Sequence, residues 1–311
     1  MCRFCLVALT SSTLLVPALV EVQAELHPPL AARGQAPRDR LAVQVLVDCA
    51  GFSPGEIDGV GGINTDKAID AYERTTGSRG GDLGAASQEP PTMTYTITAE
   101  DAATPLVRSI PRDMMAKARL KRLGYSSLLE MLAERFHASP SLLKRLNPRL
   151  RLGAGQQIVV PNVNVVSSAE GKPLPDIVVH VSKSVSTLWV TDGMGKTIMH
   201  APVTSGSEHD PLPIGMWTVT GVGRNPTFNY NPDLFWDAEP SHAKAKIPPG
   251  PNNPVGLVWI DLSKPHYGIH GTPEPSTIGH TESHGCVRLT NWDALRLAAI
   301  VGKGTRVEFT E

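Results

Sequence analysis

The stretch "DIVVHVSKSVSTLWVTDGMGKTIMHAPVTSG", residues 176–206, alternates apolar and polar side chains on either side of a glycine-bearing turn, "DGMGK". Period-two alternation sends one face of a strand into a core and the other toward solvent, and a tight Gly-containing turn joins two such strands as a hairpin. Downstream, "IGMWTVTGVG", "LVWIDL" and "HYGIHG" keep the short-strand texture, and "TRVEF" closes the chain. Short strands punctuated by turns find their home in a sandwich or a barrel. A single helical stretch, "NWDALRLAAIVG", interrupts them, with Asn291 positioned to cap it. Residues 176–311 are therefore expected to form a mainly β domain, sandwich- or barrel-like, with one helix after its last loop.

Upstream the periodicity changes. In 93–165, Leu128, Leu129, Leu132 and Phe136 suit one helix and Leu142, Leu143 and Leu146 a second, followed by a short strand over residues 157–160. A strand, two helices and a strand would close a small α/β module. In 38–78, Leu41, Val45 and Leu46 recur at helical spacing, as do Ile69 and Tyr72, around the Gly-rich turn "SPGEIDGVGG". This predicts a small all-α domain. Residues 79–92 have a flexible linker's composition. Residues 1–24 place Arg3 before an apolar run and a small residue at Ala24, the order of a signal peptide cut after Ala24, with a retained anchor or a buried helix as the competing readings. The expected multidomain protein is exported, to the periplasm or the cell wall.

A net charge of -1 without a basic run excludes the electrostatic footprint of a nucleic-acid binder. Cys2 and Cys5 leave with the signal. Joining Cys49 to Cys286 would tie together different domains, so Cys49 reads as a buried helix thiol.

Chemistry concentrates in "HGTPEPSTIGHTESHGCVRL", residues 270–289. If "SHGCV" is extended, His284 and Cys286 point to one side as a thiolate–imidazolium pair. Gly285 lets a carbonyl approach the backbone, and the N–H groups of Gly285 and Cys286 could hold an oxyanion. His270, sixteen positions before Cys286, could reach the same spot from a neighbouring strand. A zinc site from His270, His280, His284 and Cys286 has the right residue types, but the spacing is not that of a tetrahedral knuckle and a closed site would silence the thiol. His280 and His209 read as solvated loop residues.

The ordered set "HGT", "SHGCVRL" and "N.D", with "TSGSEHDPLPIGMWTV" upstream, resembles the catalytic domain of the bacterial L,D-transpeptidases. The resemblance implies Cys286 as nucleophile, His284 as its base and His270 as a partner in the site. It implies Arg288 as an anchor for the loop or a substrate carboxylate, and Ser283, Gly285 and Gly271 as members of the same motif. It implies acyl transfer between peptidoglycan stem peptides, forming 3→3 crosslinks through a thioester with release of D-alanine and with no cofactor. A lipoprotein lysine or water could take the acyl group instead. The aromatic-bearing segment 224–256 could be a lid or a plain surface loop. Residues 38–78, with "AGF", "IDG" and "NT.KAI", resemble a peptidoglycan-binding-like helical domain in which Asp58 and Gly59 shape the turn. Residues 93–165 look like a diverged lysin motif, with Asn147 and Pro161 in place and "LGYSSLLE" where the first strand and turn belong, which implies cell-wall glycan binding or a scaffolding role. A wall-binding protein without activity is the competing class, and the intact Cys286, His284 and His270 argue against it.

Overall fold

The structure, a computed structural model, describes residues 39–78, 89–166 and 171–311. The leader expected over 1–24 and most of the linker expected over 79–92 lie outside the described residues. The first unit holds α1 (Arg40–Cys49) and α2 (Ile63–Thr76). The second holds β1 (Thr92–Thr96), α3 (Ala99–Ala102), α4 (Met114–Ala118), α5 (Leu128–Arg135), α6 (Pro140–Leu146) and β2 (Gln157–Pro161). The third runs through β3 (Val178–Ser182), β4 (Thr187–Thr191), β5 (Thr197–Pro202), β6 (Thr204–Ser205), β7 (Gly215–Arg224), β8 (Phe228–Tyr230) and β9 (Ala245–Ile247). It continues with β10 (Val258–Leu262), β11 (Gly268–His270), β12 (Val287–Arg288), α7 (Asn291–Ile300) and β13 (Arg306–Thr310).

Among the described residues, nine strands form one sheet in the order β5-β4-β3-β13-β7-β10-β11-β12-β6. Only Val203 separates β5 from β6 in the chain, yet the two stand at opposite ends of that order, so the sheet must curl until its ends meet. The mainly β, barrel-like expectation is met. Alternation does what it predicts: Val179, Val181, Leu188, Val190, Val307 and Phe309 are buried in one core, onto which α7 lays Ala294, Leu297 and Ala298. In the β4–β5 hairpin, Asp192 Oδ1 accepts from the Met194 and Lys196 backbone N–H groups, each at 2.9 Å.

The cap of α7 differs from expectation. Thr290, not Asn291, is the N-cap, its Oγ1 accepting from the Asp293 N–H at 3.1 Å. Asn291 is already helical and spends its side chain on long-range contacts, accepting from Leu257 N–H at 3.0 Å and donating to Glu134 at 2.8 Å.

In the second unit β1 pairs antiparallel with β2, Thr92 opposite Pro161, around α5 and α6. The first strand is therefore "TMTYT", and "LGYSSLLE" instead leads into α5, because the intervening residues carry α3 and α4. The units share cores: Val43, Leu46 and Val47 of α1 pack with α2, whereas Val45 of the same helix packs with Leu132, Phe136 and Val160. Burying each such side chain is worth about 1.5–3 kcal/mol, so α1 is held from both sides. At the turn after α1, Asp58 Oδ1 accepts from Gln44 and from the Val60 and Gly61 N–H groups, with Gly59 at φ +73°. Cys49 Sγ donates to the Asn162 carbonyl at 3.3 Å. Ser53 N–H donates to the His200 carbonyl and His200 N–H to that of Gly51, which covers the β5 edge of the large sheet.

Candidate active site

Strands β11 and β12 run parallel, Ile269 opposite Val287 and His270 opposite Arg288. Ile269 and Val287 are fully buried in the sheet's core. Side chains alternate along a strand, so His270 and Arg288 share the other face, and Cys286, one step before Val287, joins them.

The loop before Cys286 is not extended as expected. Gly285 has φ +94°, and a Cβ there would stand 2.7 Å from Tyr267 Cε1, so only glycine fits this turn. The turn breaks the alternation that would have set His284 beside Cys286. Ser283 fixes its position: Oγ donates to the Cys286 carbonyl at 2.6 Å and accepts from Gly206 N–H at 2.7 Å.

His270 is 5% exposed, and its Nδ1–H donates to the Gly271 carbonyl at 2.7 Å. A carbonyl can only accept, so the proton of the neutral ring sits on Nδ1 and the lone pair on Nε2. Trp259 stacks on the ring at 5.5 Å, and a Cβ on Gly271 would meet Asn291 Oδ1 at 2.3 Å, so the backbone here passes close to α7. Burial, with Arg288 adding to it, pushes the imidazole down to about 3. Burial also pushes the Cys286 thiol up, Asp210 adding to it, while the Gly268 N–H and Arg288 draw it back. Burial penalises both charges, so Cys286 and His270 rest as a thiol and a neutral imidazole. Cys286 is half-buried and unbridged, its Sγ 3.8 Å from the His266 carbonyl. Among the described residues, no hydrogen bond joins that thiol to His270 or His284 and no group of three or more His, Cys, Asp and Glu side chains is placed to hold a metal ion.

His284 turns toward the segment 224–256. Its Nε2–H donates to Asp237 at 2.8 Å, and Phe235 and Trp236 pack on its ring at 5.1 and 5.9 Å. Its Nδ1 is buried without a partner among the described residues. Asp237 escaped sequence reading, since it lies 47 positions from His284 with no motif linking them. His209 packs on Trp236 with the ring centroids 4.5 Å apart, which places it beside the same segment, whereas His280 is exposed. The segment is clamped from the second unit. Tyr230 O–H donates to His242 Nδ1 at 2.8 Å, His242 Nε2–H donates to Asp113 at 2.7 Å, and Leu123 N–H donates to the Pro249 carbonyl at 2.9 Å. Met114, Met115 and Leu120 pack there with Tyr230, Ile247 and Phe235.

Residues 176–309 match the description of the L,D-transpeptidase catalytic domain of the YkuD type. The protein named as an L,D-transpeptidase YkuD in Bacillus subtilis is 32% identical over 185 residues, covering 58% of this chain and 91% of that one. The chain belongs to the L,D-transpeptidase family. Escherichia coli YbiS, also named as an L,D-transpeptidase, is 29% identical over 198 residues, 60% of this chain and 61% of its own length. Among solved structures, the L,D-transpeptidase from Mycobacterium smegmatis is similar at 16% identity with a TM-score of 0.36, over 44% of this chain and 59% of that one. L,D-transpeptidase 3 from Mycobacterium tuberculosis, solved with a faropenem-derived adduct, is 18% identical with a TM-score of 0.37, over 52% and 76%. This L,D-transpeptidase is an enzyme of the peptidoglycan-crosslinking class, and its catalytic domain is the β-sheet unit that carries Cys286.

Proposed function

We propose that the chain is a cysteine L,D-transpeptidase that forms 3→3 crosslinks, with His270 rather than His284 as the base for Cys286. What carries the reading is the His270 Nδ1–H bond to the Gly271 carbonyl, which leaves a lone pair on Nε2 on the strand face that Cys286 shares. His284, engaged with Asp237, holds the 224–256 lid beside the thiol. In the donor step, Sγ attacks the carbonyl of the L-centre of the third stem residue as the thiol proton passes to His270 Nε2. The Gly285 and Cys286 N–H groups receive the oxyanion, a contribution of about 3 kcal/mol to the barrier in such sites. Collapse breaks the peptide bond, His270 returns the proton to the departing amine of D-alanine, and a thioester remains. An amine of a second stem attacks that thioester, gives its proton to His270 and forms the new amide as the sulfur leaves and is reprotonated. Arg288 pairs with a substrate carboxylate.

The two N-terminal units support work at the wall, the first as a peptidoglycan-binding-like domain and the second as a lysin-motif-like module, after export through the leader at residues 1–24. The test incubates the purified chain with disaccharide-tetrapeptide. Mass spectrometry should show 3→3 dimers and free D-alanine, both lost in Cys286→Ala. D-alanine and tripeptide without dimers would assign the acyl group to water, and dimers made by Cys286→Ala would refute the nucleophile.

A further inference from the structure

A cleft of about 540 Å³ lies between α2 and the β4–β5 hairpin, walled by Arg74 and Thr75 from the helix, by Trp189 and His200 from the strands and by Lys196 from their turn. Its volume falls within the range of small-ligand sites. No carboxylate lines it, and none of Arg74, Lys67 and Lys196 forms an ion pair among the described residues. Trp189 and His200 stand opposite each other in the β4–β5 register, so both side chains rise from the same sheet face. His200 is 6% exposed, and its Nδ1 is buried without a partner among the described residues. Buried polar atoms are rarely left unpaired, and one lining a ligand-sized cleft points to a group that is to arrive there. Burial, then Arg74 and Lys67, push this imidazole down to about 4, so its surroundings are electropositive.

We propose that this cleft binds a carboxylate-bearing segment of the cell-wall polymer at a site separate from the thiol centre. The inference rests on the reading of the chain as a peptidoglycan enzyme. Arg74 offers a planar fork that matches a carboxylate, Lys196 adds a mobile charge, and the unpaired His200 nitrogen meets a polar atom of the ligand. The Trp189 indole supplies a flat apolar surface for a sugar or alkyl portion. None of the lining residues surrounds Cys286, so occupancy leaves the reacting site open. One wall comes from the helical unit and the other from the catalytic sheet, so a bound strand also raises the local concentration of stem peptides at the thiol.

The test uses the full chain carrying Cys286→Ala, which removes turnover, titrated calorimetrically with soluble disaccharide-tripeptide. Two sites per chain are expected. Adding Arg74→Glu and Lys196→Glu, both exposed positions, should remove one of them, weakening it by at least about tenfold, with an unchanged melting temperature. Blocking the fragment's carboxylates as amides should do the same. A single site that ignores both charge reversals overturns the proposal, as does equal binding of the blocked fragment. Binding of inorganic phosphate in the cleft without binding of the fragment overturns it as well. Because the thiol is absent throughout, these outcomes are independent of D-alanine release, on which the transpeptidase reading stands or falls.

Discussion

Arg296 and Asp48 meet through two parallel hydrogen bonds, Nη1 to Oδ1 at 2.9 Å and Nη2 to Oδ2 at 2.7 Å, although 248 positions separate them. His137 Nδ1–H donates to the same carboxylate at 3.0 Å. One buried carboxylate thus joins α1 of the first unit, the α5–α6 turn of the second and α7 of the catalytic domain. Burial works to raise this carboxyl, and Arg296 and His137 overcome it, holding it well below the usual carboxylate range. The helix they fix, α7, is the one whose Asn291 approaches the Gly271 backbone beside His270.

Removing one partner of such a pair strands the other charge in the interior. Arg296→Ala is expected to cost about 3–5 kcal/mol, read from urea unfolding at neutral pH. A depressed folded-state carboxyl contributes stability above its unfolded value of ~3.9 and loses it as pH falls through the folded value. Asp48→Asn should therefore start less stable than the parent at pH 7 and lose less on going to pH 3. An equal acid loss in both proteins would remove Asp48 from the acid limb.

Gly285→Ala tests the turn that presents the thiol. The added Cβ would lie 2.7 Å from Tyr267 Cε1 at a φ of +94°, so the loop must shift to accept it. A displacement near 1 Å at a reacting atom costs on the order of 100-fold in rate. Acylation of Cys286, followed by mass spectrometry, should fall by about that factor while the melting temperature drops by only a few degrees. Acylation at the parent rate would show that the loop tolerates a side chain there.

The strands were legible because period-two alternation is a local signal: Val179, Val181, Leu188 and Val190 point inward as their spacing dictates. Cys286 and His270 stand in one sequence motif, and the pairing of β11 with β12 brings their segments side by side. The relation of His284 to Cys286 was not legible, since it depends on the left-handed backbone at Gly285, which a glycine permits but does not announce. Thr290 and Asn291 are both good caps, and only the pull of Leu257 and Glu134 on Asn291 decides between them. Asp237 and Arg296 find partners 47 and 248 positions away, and no spacing rule reaches so far.

Arg288, after the Gly268 N–H, works to make the Cys286 thiol more acidic. It opposes the upward push of burial on the Cys286 thiol, so its loss should raise the thiol further. In Arg288→Gln the midpoint of iodoacetamide alkylation at the Cys286 peptide is expected to move to higher pH, because an opposite charge beside the sulfur is lost. Since His270 stays neutral down to about 3, the parent rate should show no acid limb near 6.5 from that imidazole. A midpoint unmoved by the substitution would mean that the guanidinium does not act on the sulfur.

The segment 224–256 is held by a chain of contacts that starts outside the catalytic domain. Asp113, on the segment between β1 and α5, accepts from His242, which accepts from Tyr230, and Tyr230 packs on Phe235 at 5.5 Å, which packs on His284. Asp113 is exposed, so its charge contributes little to global stability, but it is the hydrogen-bond acceptor that fixes which His242 nitrogen carries the proton. Asp113 Oδ1 also caps α4 by accepting from Ala116 N–H at 2.7 Å, so Asp113→Ala should lower the melting temperature by a few degrees while loosening residues 228–247. Acylation of Cys286 should slow by roughly tenfold, short of the ~100-fold expected when the thiol loop itself moves. Hydrogen exchange should speed up in β8 and β9 and stay unchanged in β11 and β12. Equal exchange in β8 and β9 with a slowed thiol would place the effect of Asp113 outside this segment, and unchanged acylation with faster exchange would show that the segment's order does not limit the attack.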